Sequence, residues 1–258
     1  MCGIFGTFCD NGNLNIDTLE KATSILNHRG PDGKEVWMSK DRRVGLGHTR
    51  LSIIDLEGGK QPLENEDGSI CAVVNGEIYD FERIQDELKA KGHKFRTRSD
   101  SEILVHLYED LGLDAIHELR GEFAFILWDS KNQRLISGRD RFGIKPLYYS
   151  FFHDTLFLAS EIKALLAAGV PAEWDDESFY ISSHFAFCPN QDRTLFKRVF
   201  QVPAGHLMVA NKYQHLLHKY WDFNYPLKEL QNNNISDKEA IETFREYFDE
   251  AVKLRLHA

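Results

Sequence analysis

Met1-Cys2-Gly3-Ile4-Phe5-Gly6-Thr7-Phe8 opens the chain. Its apolar, partly aromatic run from Cys2 to Phe8 predicts a strand covered on both faces. It also puts a thiol beside the initiator Met. A small residue after Met1 permits removal of that Met, leaving Cys2 with both a thiol and a free α-amino group. The amine can then act as base for the thiol, directly or through a water. The plainer alternative is a buried cysteine near a chain end.

Similar apolar runs recur outward from this stretch: Val44–Ile54, Ile70–Val74, Phe123–Asp129, Arg134–Arg139, Pro146–Phe151, Thr155–Ala159 and Gly205–Ala210. Ser130-Lys131-Asn132-Gln133 and Phe152-His153-Asp154 separate pairs of them as hairpin turns. Helices are expected from Phe81, with Asp80 as N-cap and Gly92 as stop, and from Ser101 to Leu111, with Ser99 and Glu102 spaced as a capping box. A short helix is expected over Glu161–Ala168, ended by Gly169 and Pro171. Near the end, Asn224-Tyr225-Pro226 and Gln231-Asn232-Asn233-Asn234 read as a linker. A long helix follows from the capping-box pair Ser236 and Glu239, with a stripe of Ile241, Phe244, Phe248 and Val252 that needs something to pack on.

The 258 residues can bury a substantial core, and 42% hydrophobic with 28% charged residues excludes a largely disordered chain. A net charge of -9 with scattered basic residues argues against nucleic acid as ligand. No apolar run reaches the roughly 18 residues of a membrane span, and the N-terminus lacks the basic region of a secretory signal. Cys2, Cys9, Cys71 and Cys188 form no CxxC pair or zinc spacing, so free thiols in a reducing, cytoplasmic setting are expected. His28 and His48 are too isolated for a ligand cluster, so no metal is expected.

Four further places could carry chemistry. Asn75-Gly76 between apolar segments is a strong hairpin signal; alternatively, an Asn amide and a Gly N–H form an oxyanion hole. Arg50, inside an otherwise buried run, needs a partner, either an internal carboxylate or a ligand carboxylate. Asp100 is either a helix cap or a holder of a ligand ammonium. The loop His28-Arg29-Gly30-Pro31-Asp32-Gly33 is a lid or merely a loop. The charges of Asp140-Arg141-Phe142-Gly143-Ile144-Lys145-Pro146 suit structural support.

Six stretches occur in one order: Cys2–Gly6, His28–Asp32, His48–Asp55, Asn75–Tyr79, Ser99–Glu102 and Asp140–Tyr149. Together they resemble the class II glutamine amidotransferases, which are N-terminal-nucleophile hydrolases, and above all the N-terminal glutaminase domain of glutamine-hydrolysing asparagine synthetases. The resemblance implies an α+β fold, a four-layer αββα sandwich. It implies an amidotransferase domain over residues 2–215, with 216–258 as linker and first helix of a synthetase domain. It makes Cys2 the nucleophile and Asn75 and Gly76 the oxyanion hole. Arg50 would grip the α-carboxylate of L-glutamine and Asp100 its α-ammonium, while Leu51, Ser52, Ile53, Ile54 and Glu77 line the site.

The implied reaction releases glutamate and ammonia through a Cys2 thioester, the ammonia serving ATP-dependent asparagine synthesis. The Ser-Gly-Gly-x-Asp-Ser loop of the synthetase domain is absent from this sequence. No cofactor is therefore expected in this chain, and ATP and Mg belong to the synthetase domain, reached in cis or in trans. A homodimer is a further expectation. Two other readings stay open: a glutamine-binding regulatory module, and ammonia donation to a different acceptor such as a sugar or peptide.

Overall fold

The computed structural model describes residues 1–56, 58–185, 192–225, 227 and 235–256. It divides into two units, Met1–Trp221 and Asp222–Ala258. The first runs through β1 (Gly3–Cys9), α1 (Ile16–Ser24), β2 (Gly33–Met38), β3 (Val44–Arg50), β4 (Leu63–Glu64), β5 (Ile70–Ile78), α2 (Phe81–Ala90), a 3-10 turn (Asp100–Glu102), α3 (Ile103–Leu111), α4 (Ala115–Glu118), β6 (Gly121–Asp129), β7 (Arg134–Arg139), β8 (Tyr148–Phe152), β9 (Thr155–Ala159), α5 (Ile162–Ala167), α6 (Asp176–Phe185), β10 (Phe200–Gln201), β11 (His206–Ala210) and β12 (His215–Lys219).

Two antiparallel six-stranded sheets result, ordered β10-β8-β9-β1-β3-β2 and β12-β11-β7-β6-β5-β4. Alternation along each strand sets the layers. On β1, Ile4 and Phe8 face the second sheet, while Phe5 packs with Leu19, Ala22 and Leu26 of the α1 region and with Ala164 and Leu165 of α5. On β5 and β6, Cys71, Val73, Ile126 and Trp128 point to the inter-sheet layer, and Ala72, Val74, Phe125 and Leu127 meet α2 and α3. Each large side chain so buried contributes about 1.5–3 kcal/mol. The order is helix, sheet, sheet, helix, as the resemblance implies. Gly6 lets the sheets close, since a Cβ there would lie 2.8 Å from Ile126 Cδ1.

Both expected hairpins form, joining β6 to β7 and β8 to β9. Several local expectations fail for identifiable reasons. Asn75-Gly76 is no turn: β5 runs straight through it, with Asn75 opposite Ala124 and Gly76 opposite Phe123. Pairing along nine residues outweighs the local turn preference. The Val44–Ile54 run ends as a strand at Arg50. Asp80 stands at the N-cap of α2 but in left-handed backbone (φ 57) and makes no side-chain cap bond. Ser99 caps the 3-10 turn by accepting from Ser101 N. Glu102 does not complete a capping box; it accepts instead from Arg96 N and Thr97 N. Strand β2 escapes sequence reading because its first half is exposed and polar.

In the second unit, α7 (Asp237–Arg255) starts at the expected Ser236–Glu239 capping box, and Ile241, Phe244, Phe248 and Val252 are exposed. The expected linker residues Gln231–Asn234, and Cys188, lie outside the described residues. Cys9 and Cys71 are buried free thiols. Among the described residues no helix is long and apolar enough to cross a membrane.

Candidate active site

The site lies where β5 loses its neighbour. Strand β4 covers β5 only at Ala72 and Cys71, so the rest of that edge must be satisfied otherwise. Alternate N–H groups of a strand face the same edge. Val74 N donates to Gln61 Oε1 at 2.6 Å, and Ile78 N donates to Asp100 Oδ2 at 2.7 Å. The N–H of Gly76 falls between them on the same edge and faces the cleft. Position 76 has to be glycine, because a Cβ would stand 2.2 Å from Glu122 O.

Cys2 enters from the first sheet. It has the parity of Ile4, and Asn75 has the parity of Val73, so both side chains face the inter-sheet layer. The Cys2 Sγ accepts from Leu51 N at 3.4 Å and donates to Leu51 O at 3.7 Å. Arg29 Nε donates to Cys2 O at 2.9 Å, and Arg29 Nη1 pairs with Glu161 at 2.8 Å. The loop His28–Gly33 is thus pinned behind the cysteine. It is fixed again by Ser52 N donating to Asp32 Oδ2 at 2.8 Å. Burial pushes the Cys2 thiol above its usual value, against the pull of the Leu51 hydrogen bond, the amino terminus and Arg50. Burial also lowers the Met1 amine. A thiol held up in this way needs a base to react near neutral pH.

A cleft is lined by Met1, Cys2, Arg50, Leu51, Ile53, Ile54, Asn75, Gly76, Glu77 and Asp100, together with Gln61 and Lys145. The structure therefore gathers nine of the ten sequence-derived site residues; Ser52 does not line it. Among the described residues, the side-chain hydrogen bonds of Arg50 go to backbone carbonyls and not to a carboxylate. Its guanidinium donates to the carbonyls of Leu56 (3.1 Å), Ile54 (3.2 Å) and Asp55. Gly59 leaves room for it, since a Cβ would lie 2.7 Å from Nη2. Asp100 is only 4% exposed. Burial raises its pKa, opposed by the Ile78, Ser99 and Ser101 hydrogen bonds, and Glu77 adds to the rise.

One side-chain amide in this cleft is uncommitted. Asn75 is 1% exposed, and its Nδ2 has no hydrogen-bond partner. A buried amide N–H without a partner costs about 1–3 kcal/mol, which a bound oxygen acceptor would recover. His48 is fully buried and its pKa is lowered by that burial to about 3, so the ring is neutral. Sequence reasoning missed Gln61, Lys145 and Arg29 as parts of the site. Lys145 sits inside the quoted Asp140–Tyr149 stretch, but its proximity to Met1 Sδ (3.8 Å) and Glu122 (3.5 Å) is a tertiary fact. The rest of that stretch is structural as expected: Asp140 accepts from Phe142 N, Ile144 N and Lys145 N.

Comparison with known proteins points the same way. A family model described as "glutamine amidotransferase domain" matches residues 1–221. The chain is 44% identical over 250 residues to "Amidase chry2" of Gibberella zeae, covering 94% of this chain and 36% of that protein. It is 42% identical to "Amidase chyE" of Penicillium rubens, covering 100% and 39%. It is 40% identical over 209 residues to an asparagine synthetase [glutamine-hydrolyzing] of Bacillus subtilis, covering 80% and 33%. The chain thus spans between 33% and 39% of the length of each of these relatives. The glutamine phosphoribosylpyrophosphate amidotransferase of B. subtilis shares the fold, with a TM-score of 0.63 and 18% identity, over 85% of this chain and 49% of that one.

Proposed function

Because the chain belongs to the class II glutamine amidotransferase family, we propose that its cleft hydrolyses the side-chain amide of L-glutamine and hands the ammonia to a second domain. The unpartnered Asn75 Nδ2 in the same cleft as Cys2 carries the reading. With Met1 removed, Cys2 bears its own amine, which takes the thiol proton. The sulfur attacks the amide carbon, and the tetrahedral oxyanion rests on Asn75 Nδ2 and Gly76 N–H. The amine then returns the proton to the leaving nitrogen, releasing ammonia and a γ-glutamyl thioester. Water adds to the thioester carbon, and its collapse gives glutamate and the free thiol. Asp100 receives the substrate ammonium, which compensates its buried charge. The remaining N–H groups of Arg50 face the carboxylate.

Two acceptors for the ammonia are supported by different relatives. The asparagine synthetases favour aspartate. The higher identity to two fungal amidases favours another acceptor. The synthetase half, in cis or in trans, would make that choice.

Glutamate release from glutamine tests the hydrolytic half. It is measured on the purified chain and on Cys2→Ala, with the N-terminal mass recorded on each sample. Hydrolysis by the Met1-free chain, abolished in the variant, is expected. Glutamine binding without hydrolysis by a Met1-free chain would overturn it in favour of a binding module.

A further inference from the structure

A second group of titratable side chains lies outside the cleft, where the β4–β5 turn, the segment after α2 and the face of α3 meet. Glu66, His93, His106 and Glu109 each offer one donor atom, and these atoms lie within 4.8 Å of one another. His106 Nδ1 is 3.5 Å from Glu66 Oε2, His93 Nδ1 is 3.5 Å from Glu66 Oε1, and His93 Nδ1 is 3.9 Å from Glu109 Oε2. These are too long for hydrogen bonds. The two 3.5 Å separations suit donors around one ion, since metal bonds of about 2.0–2.2 Å at tetrahedral angles hold donor atoms about 3.3–3.6 Å apart, and the 3.9 Å separation is slightly wider. A further observation is independent of the clustering. His106 is 0% exposed, and neither ring nitrogen has a hydrogen-bond partner.

The surroundings match what a histidine ligand requires. A ligating imidazole usually turns its other nitrogen to a carboxylate, which fixes the ring. His93 Nε2 lies 3.0 Å from Asp110, itself held by Lys91 at 2.7 Å. His106 Nε2 faces Glu102 at 3.7 Å, close enough for ionic attraction but longer than a hydrogen bond. Two imidazoles with two carboxylates suit a first-row divalent cation of the zinc type rather than Mg²⁺ or Ca²⁺, which prefer all-oxygen shells.

We propose that Glu66, His93, His106 and Glu109 form a structural zinc site that braces the segment carrying Asp100. The brace runs through His106 to Glu102. That carboxylate accepts from Arg96 N and Thr97 N, both at 2.7 Å, and from the Thr97 hydroxyl. It thereby fixes the chain three residues before Asp100. The histidines are thirteen residues apart, outside the H-x3–5-H spacing of zinc-finger signatures.

The test uses the tag-free full chain with Cys2→Ala, so that the nucleophile thiol cannot hold zinc. The protein is stripped with a chelator and titrated with ZnCl2, and bound zinc is counted after gel filtration. One equivalent per chain is expected, with a higher melting temperature. Replacing a ligand at the more exposed rim, in His93→Gln or Glu109→Gln, should weaken zinc at least about tenfold and remove the melting shift, while the far-UV spectrum of the stripped protein is unchanged. Absence of a stoichiometric site, or a site that both variants retain, would overturn the proposal.

Discussion

Asn65, in the turn before β5, and Asn75, inside β5, are 0% and 1% exposed. Asn65 is fully used: its amide donates to Ser69 Oγ at 3.2 Å and its oxygen accepts from Ile70 N at 3.0 Å. Asn75 Nδ2 has no partner. The same split divides a single turn. Glu102, 1% exposed, accepts from Arg96 N and Thr97 N; burial pushes its pKa up, but these bonds, the Thr97 hydroxyl and nearby His106 outweigh that and hold it below the usual range. Asp100, two residues earlier, is raised by burial despite three hydrogen bonds. One side of the turn is self-sufficient and the cleft side is not. Buried polar groups that the fold leaves incompletely satisfied mark where a ligand completes them.

The sharpest way to break this contrast is to truncate both amides. Asn75→Ala should lower kcat for glutamine hydrolysis by about 10²–10³-fold, with little change in melting temperature because a partnerless donor is removed. Asn65→Ala should do the reverse, losing about 1–3 kcal/mol of stability while kcat stays near wild type. Steady-state kinetics and denaturant titration on the pair decide it; equal kinetic losses would erase the distinction.

The two carboxylates give the next largest effect. Asp100→Asn should reduce kcat/KM by about 10–100-fold, the worth of a charge-assisted hydrogen bond, chiefly through KM. Glu102→Gln should mainly reduce stability.

The smallest effect is in pH dependence. Asp100 has a raised folded pKa, so its ionisation erodes stability as pH climbs from the unfolded value through the folded one. Glu102 has a lowered folded pKa, so its contribution is present above the unfolded value and lost as pH falls through the folded one. Melting curves between about pH 3 and pH 7 should therefore change slope in opposite senses in Asp100→Asn and Glu102→Gln.

Much of the fold was legible in the sequence because the apolar strands are long and the turns explicit. Arg134–Arg139 and Thr155–Ala159 match residue for residue. What escaped was decided by distant contacts. Asn75-Gly76 has the local chemistry of a turn, and only its partner β6 makes it strand. Arg50 was expected to need a carboxylate, yet backbone carbonyls of the following loop hold it. The site residues came from their order along the chain. The open Gly76 N–H comes from the short reach of β4, and the uncommitted Asn75 amide from the inter-sheet layer it faces; no sequence pattern states either.

The most direct test of the central claim is to run the Met1-free chain with glutamine and hydroxylamine. If Cys2 carries a γ-glutamyl thioester, γ-glutamyl hydroxamate forms at the expense of glutamate, and Cys2→Ala makes neither. Glutamate formed without hydroxamate, at a rate that Cys2→Ala preserves, would contradict the account.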